Sequence, residues 1–484
     1  MTIRIDAKES ADIPDAVYKK TGVVRWDGNP LIEALPKAPD DRIDFDVSVE
    51  YMPPKPTDRT RRQSEFVRMA ETMTLTDVVF QFPKYSDPCI EIPLLIRESY
   101  VSRNPLRASD VQRRHALATG RRDGLERPRN WKSHAGGYFI LAVTGMGKTT
   151  LMESIILSVP KVIRHKKYHG VDVPTRIQIV YIYLRVPHNG SLTGLCLQFF
   201  RKVDAILGSD YTRQARGIRS VAPMVELMNQ VATAASISFI VVDELQNLRY
   251  ARGEHADIVL NYLAELIEGL GIGVICLATP AVHKVLVEKV RDVRKLSSVG
   301  SIVLQPMMKY DPDPKRKGEI DPLWQTFCET YWDYMFVKHK PRLDKATMAV
   351  WHDISAGNTA FAVSAFLLTQ RHEIGRREIV DIDSLKRTAS VDMAFLQPAI
   401  SALRSGKDKQ LESFDDLLYG AKYRELQQLL GIEAAEESPA AEEAPEFEGI
   451  ENKIHERETQ KRGKKKEKKT DWVSDIPLKD PLVL

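Results

Sequence analysis

A chain of 484 residues with a formal net charge of +4 is too long for one core and only mildly basic, so it predicts roughly two to four domains and excludes a nucleic-acid binder marked by bulk charge alone. Its four cysteines, Cys89, Cys196, Cys276 and Cys328, lie far apart with neither CxxC nor Cys/His spacing, which excludes a disulfide framework and a thiolate zinc site. The start "MTIRIDAKESADIPDAV" is too polar for a signal peptide, and charges or prolines interrupt every apolar run, so the expectation is a soluble protein of a reducing cytoplasm without membrane contact.

Residues 1–120 are proline-rich, charged and full of turn signals, with "GNPLIEALP", "VEYMPPKPTDRTRRQSE" and "IRESYVSRNPLRASDVQRRHA" as landmarks. They are expected to form an N-terminal extension. From 121 to 305 short apolar runs alternate with amphipathic stretches: "YFILAV", "IQIVYIYLRV", "ISFIVVDE" and "IGVICLATP". Each run is continuous and β-branched, as central strands of a parallel sheet covered on both faces must be, so an α/β nucleotide-binding domain is predicted. Residues 306–430 carry "DPLWQTFCETYWDYMFV" and "NTAFAVSAFLLTQRHEIG", amphipathic segments that predict a small helical lid. From 431 to 484 the chain turns acidic, then basic, with almost no apolar content, and should be disordered. The closing "DWVSDIPLKDPLVL" reads either as a docking peptide on that tether or as a frayed end.

Within the α/β region, "AVTGMGKTT" spans 142–150. A triphosphate needs backbone amides curled round its oxygens, a helix N-terminus behind them, a lysine and a hydroxyl for magnesium. Thr144, Gly145, Met146, Gly147, Lys148, Thr149 and Thr150 supply that stretch, with Lys148 as the cation and Thr149 as the metal ligand. A strict Walker A pattern has glycine where Ala142 stands. Farther on, Phe239 to Val242 deliver Asp243 and Glu244 to the carboxyl edge of the sheet, Asp243 to hold magnesium and Glu244 to polarise the attacking water. The same acid pair would also serve to cap a following helix. Thr279 ends a buried strand as a sensor of the terminal phosphate, or opens a turn before Pro280. In "HKVLVEKVRDVRKLSS", Arg291, Arg294 and Lys295 crowd a helix end, where Arg294 would reach a neighbouring subunit's phosphate or simply favour the helix dipole. Basic clusters occur at Arg164, Lys166 and Lys167 and at Arg201, Lys202, Arg213, Arg216 and Arg219, candidates for phosphate-backbone contacts or solvated faces.

With phosphate loop, acid pair, sensor strand, trailing arginine and helical lid in order, the chain resembles an AAA+ ATPase, and more specifically TnsC, the ATPase regulator of bacterial transposons that insert at selected targets. The residues carrying this are "YFILAVTGMGKTTLMESIILSVPKVIRHKKYHG", "QIVYIYLRVPHNGSLTGLCLQFFRKVDAILGSDY", "FIVVDELQNL", "NPLIEALP" and "IRESYVSRNP", across about residues 25 to 400. The resemblance implies ATP and Mg2+ as cofactors, with hydrolysis through Lys148, Thr149, Asp243, Glu244, Thr279 and Arg294. It further implies a ring or filament of copies on duplex DNA in the bacterial nucleoid. TnsA/TnsB-like transposase subunits would engage the tail, and a TnsD/TniQ-like target selector the N-terminal region. Two departures stand out: Ala142, and Gly357 with Asn358 where an arginine often opens a lid helix. Rival readings are a nucleotide-gated scaffold and a signalling ATPase that never touches DNA.

Overall fold

The computed structural model describes residues 13–38, 50–118, 131–252, 254–287, 289–406, 411, 414 and 426–430; the charged tail and its terminal peptide lie outside the described residues. Nine strands are named among them: β1 Gly137–Ala142, β2 Val162–Arg164, β3 Lys167–Tyr168, β4 Val171–Asp172, β5 Ile177–Ile179, β6 Tyr181–Arg185, β7 Phe239–Asp243, β8 Gly273–Ala278 and β9 Gly300–Leu304. Five of them form a parallel sheet in the order β6-β7-β8-β1-β9, flanked by helices, which is the expected α/β architecture.

Side-chain alternation along these strands builds two cores. Tyr138, Ile140, Val241, Ile275 and Leu277 face one side. Phe139, Leu141, Ile240, Val242, Val274 and Cys276 face the other. β1, β7 and β8 are buried along their whole length, which is why their sequences are unbroken apolar runs rather than alternating ones. The second face is covered by the crossover helices Leu192–Leu207, Val221–Ala234 and His255–Glu265.

The first face is covered by the helix Lys148–Leu157, through Leu151, Met152 and Ile155, and by elements from outside the α/β region. The helix Ser86–Val101 buries Cys89, Ile92, Leu95 and Ile96 in the same core as the lid tryptophans Trp324 and Trp351. Its end is pinned to the sheet by the Tyr100 hydroxyl donating to the Ser236 carbonyl at 2.8 Å. The lid helices Pro322–Trp332, Lys345–Asp353 and Thr359–Glu373 pack round stacked aromatics, Trp351 and Phe366 lying 4.7 Å apart. Arg68 and Glu378 join the N-terminal region to the lid through a bidentate pair at 2.6 and 2.7 Å, with Arg68 only 1% exposed.

Two expected elements are divided. "IQIVYIYLRV" forms β5 and β6, because Ile179 and Val180 turn their amides to Ala235 and Lys161 and β5 pairs antiparallel with β2. β5 is buried throughout and β6 on alternate residues, and the run stays apolar across Ile179, Val180 and Tyr181, so composition gives no sign of the break. Likewise "HKVLVEKVRDVRKLSS" becomes His283–Leu286 and Val290–Leu296, with a non-helical Lys289 between them whose ammonium pairs with Asp257 at 2.8 Å.

Candidate nucleotide site

The parallel register places every sequence-predicted phosphate and acid residue on one edge of the sheet. Leu141 pairs with Ala278 and Val242 with Cys276, so the segments after Ala142, Val242 and Ala278 emerge side by side at the carboxyl edge. Ala142 lies within β1, fully buried and opposite Leu304, with no positive φ. It belongs to the strand rather than to the loop, so its methyl group costs nothing there. Replacing Ala142 with glycine should leave ATP affinity within a few-fold, as titration with a fluorescent ATP analogue would show; a large gain would mean the strand end is strained as it stands.

The loop itself curls through two left-handed glycines, Gly145 at φ +87° and Gly147 at φ +79°, conformations that side chains resist. Gly147 caps the helix Lys148–Leu157 without any side-chain hydrogen bond, leaving the first amides free. The carbonyls are all engaged: Val143 by the Met146 amide, Thr144 by Asn358, Gly145 by the Ala360 amide, Met146 by the Tyr85 hydroxyl and Gly147 by the Leu151 amide. The amides of Thr144, Gly145, Gly147 and Lys148 have no acceptor among the described residues. Lys148 is 9% exposed, and no carboxylate pairs with it among the described residues. A buried ammonium beside free amides is a receptor waiting for an anion, so the residues present fit a polyphosphate.

Opposite the loop, Asp243 is 1% exposed. Its Oδ1 accepts from the Glu244 amide and its Oδ2 from the Tyr183 hydroxyl, each at 2.7 Å, while the Arg185 guanidinium stands 3.8 Å away. Burial, together with that bond to Asp243, holds the Tyr183 phenol far above its usual range, so it stays a donor. Each carboxylate oxygen keeps a further lone pair, and Asp243 with the half-buried Thr149 suits a hard cation that shares its shell with phosphate and water.

Glu244 adopts a left-handed conformation, φ +58°, rare for a residue with a side chain. It makes no side-chain cap to the turn Leu245–Tyr250, so helix capping is not its role here. Instead Gln246 donates to Glu244 Oε2 at 2.7 Å and accepts the Thr279 amide at 3.1 Å. The buried amide of Gln246 thus bridges the two predicted functional residues, Glu244 and Thr279. Gln246 escaped the sequence-based expectations, although its place two residues after Glu244 in "DELQNL" was the available signal. Thr279 is 1% exposed and makes no side-chain cap to the turn Pro280–Val282.

Arg291 and Arg294 are exposed and carry no ion pair among the described residues, whereas Lys295 pairs with Glu268 at 2.9 Å. The two arginines are therefore the cations of this helix left without an ion pair among the described residues. The basic clusters divide similarly. Lys166 is bound to Asp15 at 2.7 Å and Arg213 to Asp210 at 2.5 Å, and Arg164 lies 3.9 Å from Asp15. Lys167, Arg201, Lys202, Arg216 and Arg219 are exposed with no side-chain partner among the described residues.

A family model described as an AAA domain matches residues 130–286, about a third of the chain. No curated protein matches the chain. Among solved structures, a Walker-type ATPase of Pyrococcus abyssi is similar at 14% identity and a TM-score of 0.34, over 55% of this chain and 70% of that one. A point mutant of Thermotoga maritima RuvB is similar at 13% identity and a TM-score of 0.29, over 61% of this chain and 80% of that one. The matched residues contain the phosphate loop, the acid pair and Thr279.

Proposed function

We propose, with an AAA-type P-loop ATPase domain at residues 130–286 as the premise, that the chain is an ATP-dependent, DNA-binding oligomeric regulator of DNA transposition. It would connect a target-site selector to the transposase, with Mg2+-dependent ATP hydrolysis controlling assembly and disassembly. The observation that carries the nucleotide part is the buried Lys148, with no carboxylate partner among the described residues, set beside loop amides that have no acceptor among them either. Glu244 stands as general base, with Gln246 holding its carboxylate toward Thr279. Bound magnesium would neutralise phosphate charge; Thr149 and Asp243 would hold it.

The oligomeric part is supported by Arg291 and Arg294, exposed and without an ion pair among the described residues, where a neighbouring copy's phosphates could meet them. Transposition rests on the sequence resemblance, through "PHNGSL" and "DELQNL", with the tail offered to TnsA/TnsB-like transposase and the N-terminal region to a TnsD/TniQ-like selector.

DNA contact is tested with Arg216 and Arg219, since Arg213 is already paired. Reversing both charges should weaken binding to duplex DNA with ATP present, and the slope of log affinity against log salt should fall by about one for each phosphate no longer neutralised. Unchanged binding across the salt titration would remove this surface from the DNA path. Electron microscopy of the protein with duplex DNA and a slowly hydrolysed ATP analogue would show rings or filaments; dispersed single copies would count against the oligomer.

A further inference from the structure

The three carbonyls at the crown of the phosphate loop are held by groups from outside the α/β region. Thr144 O accepts from Asn358 Nδ2 at 2.7 Å, Gly145 O from the Ala360 amide at 3.0 Å and Met146 O from the Tyr85 hydroxyl at 3.2 Å. Asn358 and Ala360 open the lid helix Thr359–Glu373, and Tyr85 immediately precedes the helix Ser86–Val101 of the N-terminal region. A peptide plane whose carbonyl is tied outward points the next amide inward. The bonds to Thr144 O and Met146 O therefore aim the Gly145 and Gly147 amides that a phosphate would use, while the Met146 amide turns back to the Val143 carbonyl at 3.2 Å.

Both outer groups are themselves fixed. Asn358 is fully buried, and its Oδ1 accepts the Phe361 amide at 3.2 Å as the helix cap while its Nδ2 reaches the loop. The two residues before it, Ala356 at φ +52° and Gly357 at φ +66°, are both left-handed. A Cβ on Gly357 would lie 2.0 Å from the Met307 carbonyl, and that carbonyl accepts from His352 Nε2 at 2.8 Å. Tyr85 is 3% exposed and packs edge-on against Phe82 at 5.0 Å. Burial holds its phenol above the ordinary range, which keeps the hydroxyl a donor.

We propose that Tyr85 and Asn358 are positioning residues that hold the phosphate loop in its anion-binding shape, and so tie nucleotide affinity to the seating of the N-terminal helix and the lid on that loop. This rests on the reading of the loop as an ATP site. Reciprocity follows: bound nucleotide steadies both outer elements, and a partner that shifts either one changes nucleotide affinity by the same factor.

The test compares wild type, Tyr85→Phe, Asn358→Ser and Lys148→Ala as full chains, titrated with a fluorescent ATP analogue and magnesium. Serine keeps the helix cap but is too short to reach Thr144, and phenylalanine removes one hydroxyl from an otherwise unchanged ring. Each should weaken binding roughly five- to tenfold, the effect of one missing hydrogen bond, while the melting temperature without nucleotide moves little. Hydrogen exchange gives the second readout: ATP should protect residues 83–88 and 355–361 in wild type, and less so in either variant. Wild-type affinity in both variants, or absent protection at those segments, would overturn the proposal. No binding by wild type would instead sink the nucleotide reading itself, and Lys148→Ala marks the background level. If Asn358→Ser unfolds, Tyr85→Phe and the wild-type exchange pattern decide alone.

Discussion

Glu244→Gln is expected to lower ATP turnover at least about a hundredfold while ATP affinity stays within a few-fold, because the change removes the base but keeps the shape. Glutamine still accepts the Gln246 amide at the oxygen where Glu244 Oε2 now accepts it. The left-handed backbone at Glu244 is retained too, so the protein should fold as wild type does. A steady-state phosphate-release assay beside a binding titration separates the two quantities. Equal background rates for variant and wild type would leave a nucleotide-gated scaffold as the better account, with Glu244 no more than a strained turn residue. A fall in affinity matching the fall in rate would show that Glu244 holds the site together rather than acting on water.

The second large effect is on stability. Arg68→Met should cost about 3–5 kcal/mol, the usual loss when one partner of a buried ion pair is removed and the other is left behind. Arg68 gives hydrogen bonds to both oxygens of Glu378 and to the carbonyls of Phe336 and Gln63, so no solvent takes its place. For Glu378, burial alone would raise the carboxyl, but the Arg68 guanidinium and the amides of Gly375 and Lys338 outweigh it and hold the group down at about 2. A depressed folded value means that this stabilisation is complete above the ordinary glutamate range near 4.3 and drains away as pH falls from there toward about 2. Urea midpoints should therefore differ widely between wild type and Arg68→Met at pH 7 and converge in acid. A constant gap across that window would assign the loss to packing of the arginine stem instead. Adding Glu378→Gln to Arg68→Met should recover part of the loss, since the orphaned charge is then gone.

Much of the α/β domain was legible in one dimension because its signals are local. β1, β7 and β8 are buried on both faces, and burial on both faces writes an uninterrupted β-branched run. The phosphate loop was legible for a similar reason: its curvature needs glycines at fixed places, and Gly145 and Gly147 take the left-handed conformations that this curvature requires. What misled was equally physical. Ala142 looked like a defect in a motif, yet it is a strand residue opposite Leu304, and only the pairing register separates strand from loop there. The break between β5 and β6 was hidden because the residues on either side of it, Ile179, Val180 and Tyr181, are all apolar, so hydrophobicity could not mark where one sheet yields to another.

The sequence by itself determined the order of chemical groups: loop, lysine, acid pair, threonine and arginines, each tied to a strand end or helix by its immediate neighbours. Tertiary structure alone decided which groups act on which. Tyr85 and Asn358 reach the same loop from 61 and 214 residues away, and Arg68 meets Glu378 across 310. Such contacts leave no periodic trace, because a hydrogen bond between distant segments depends on how whole layers pack and not on the spacing of residues along the chain. The basic residues differ by a local pairing instead: Arg213 is met by Asp210 three residues before it, whereas Arg216 and Arg219 stand exposed without a partner among the described residues.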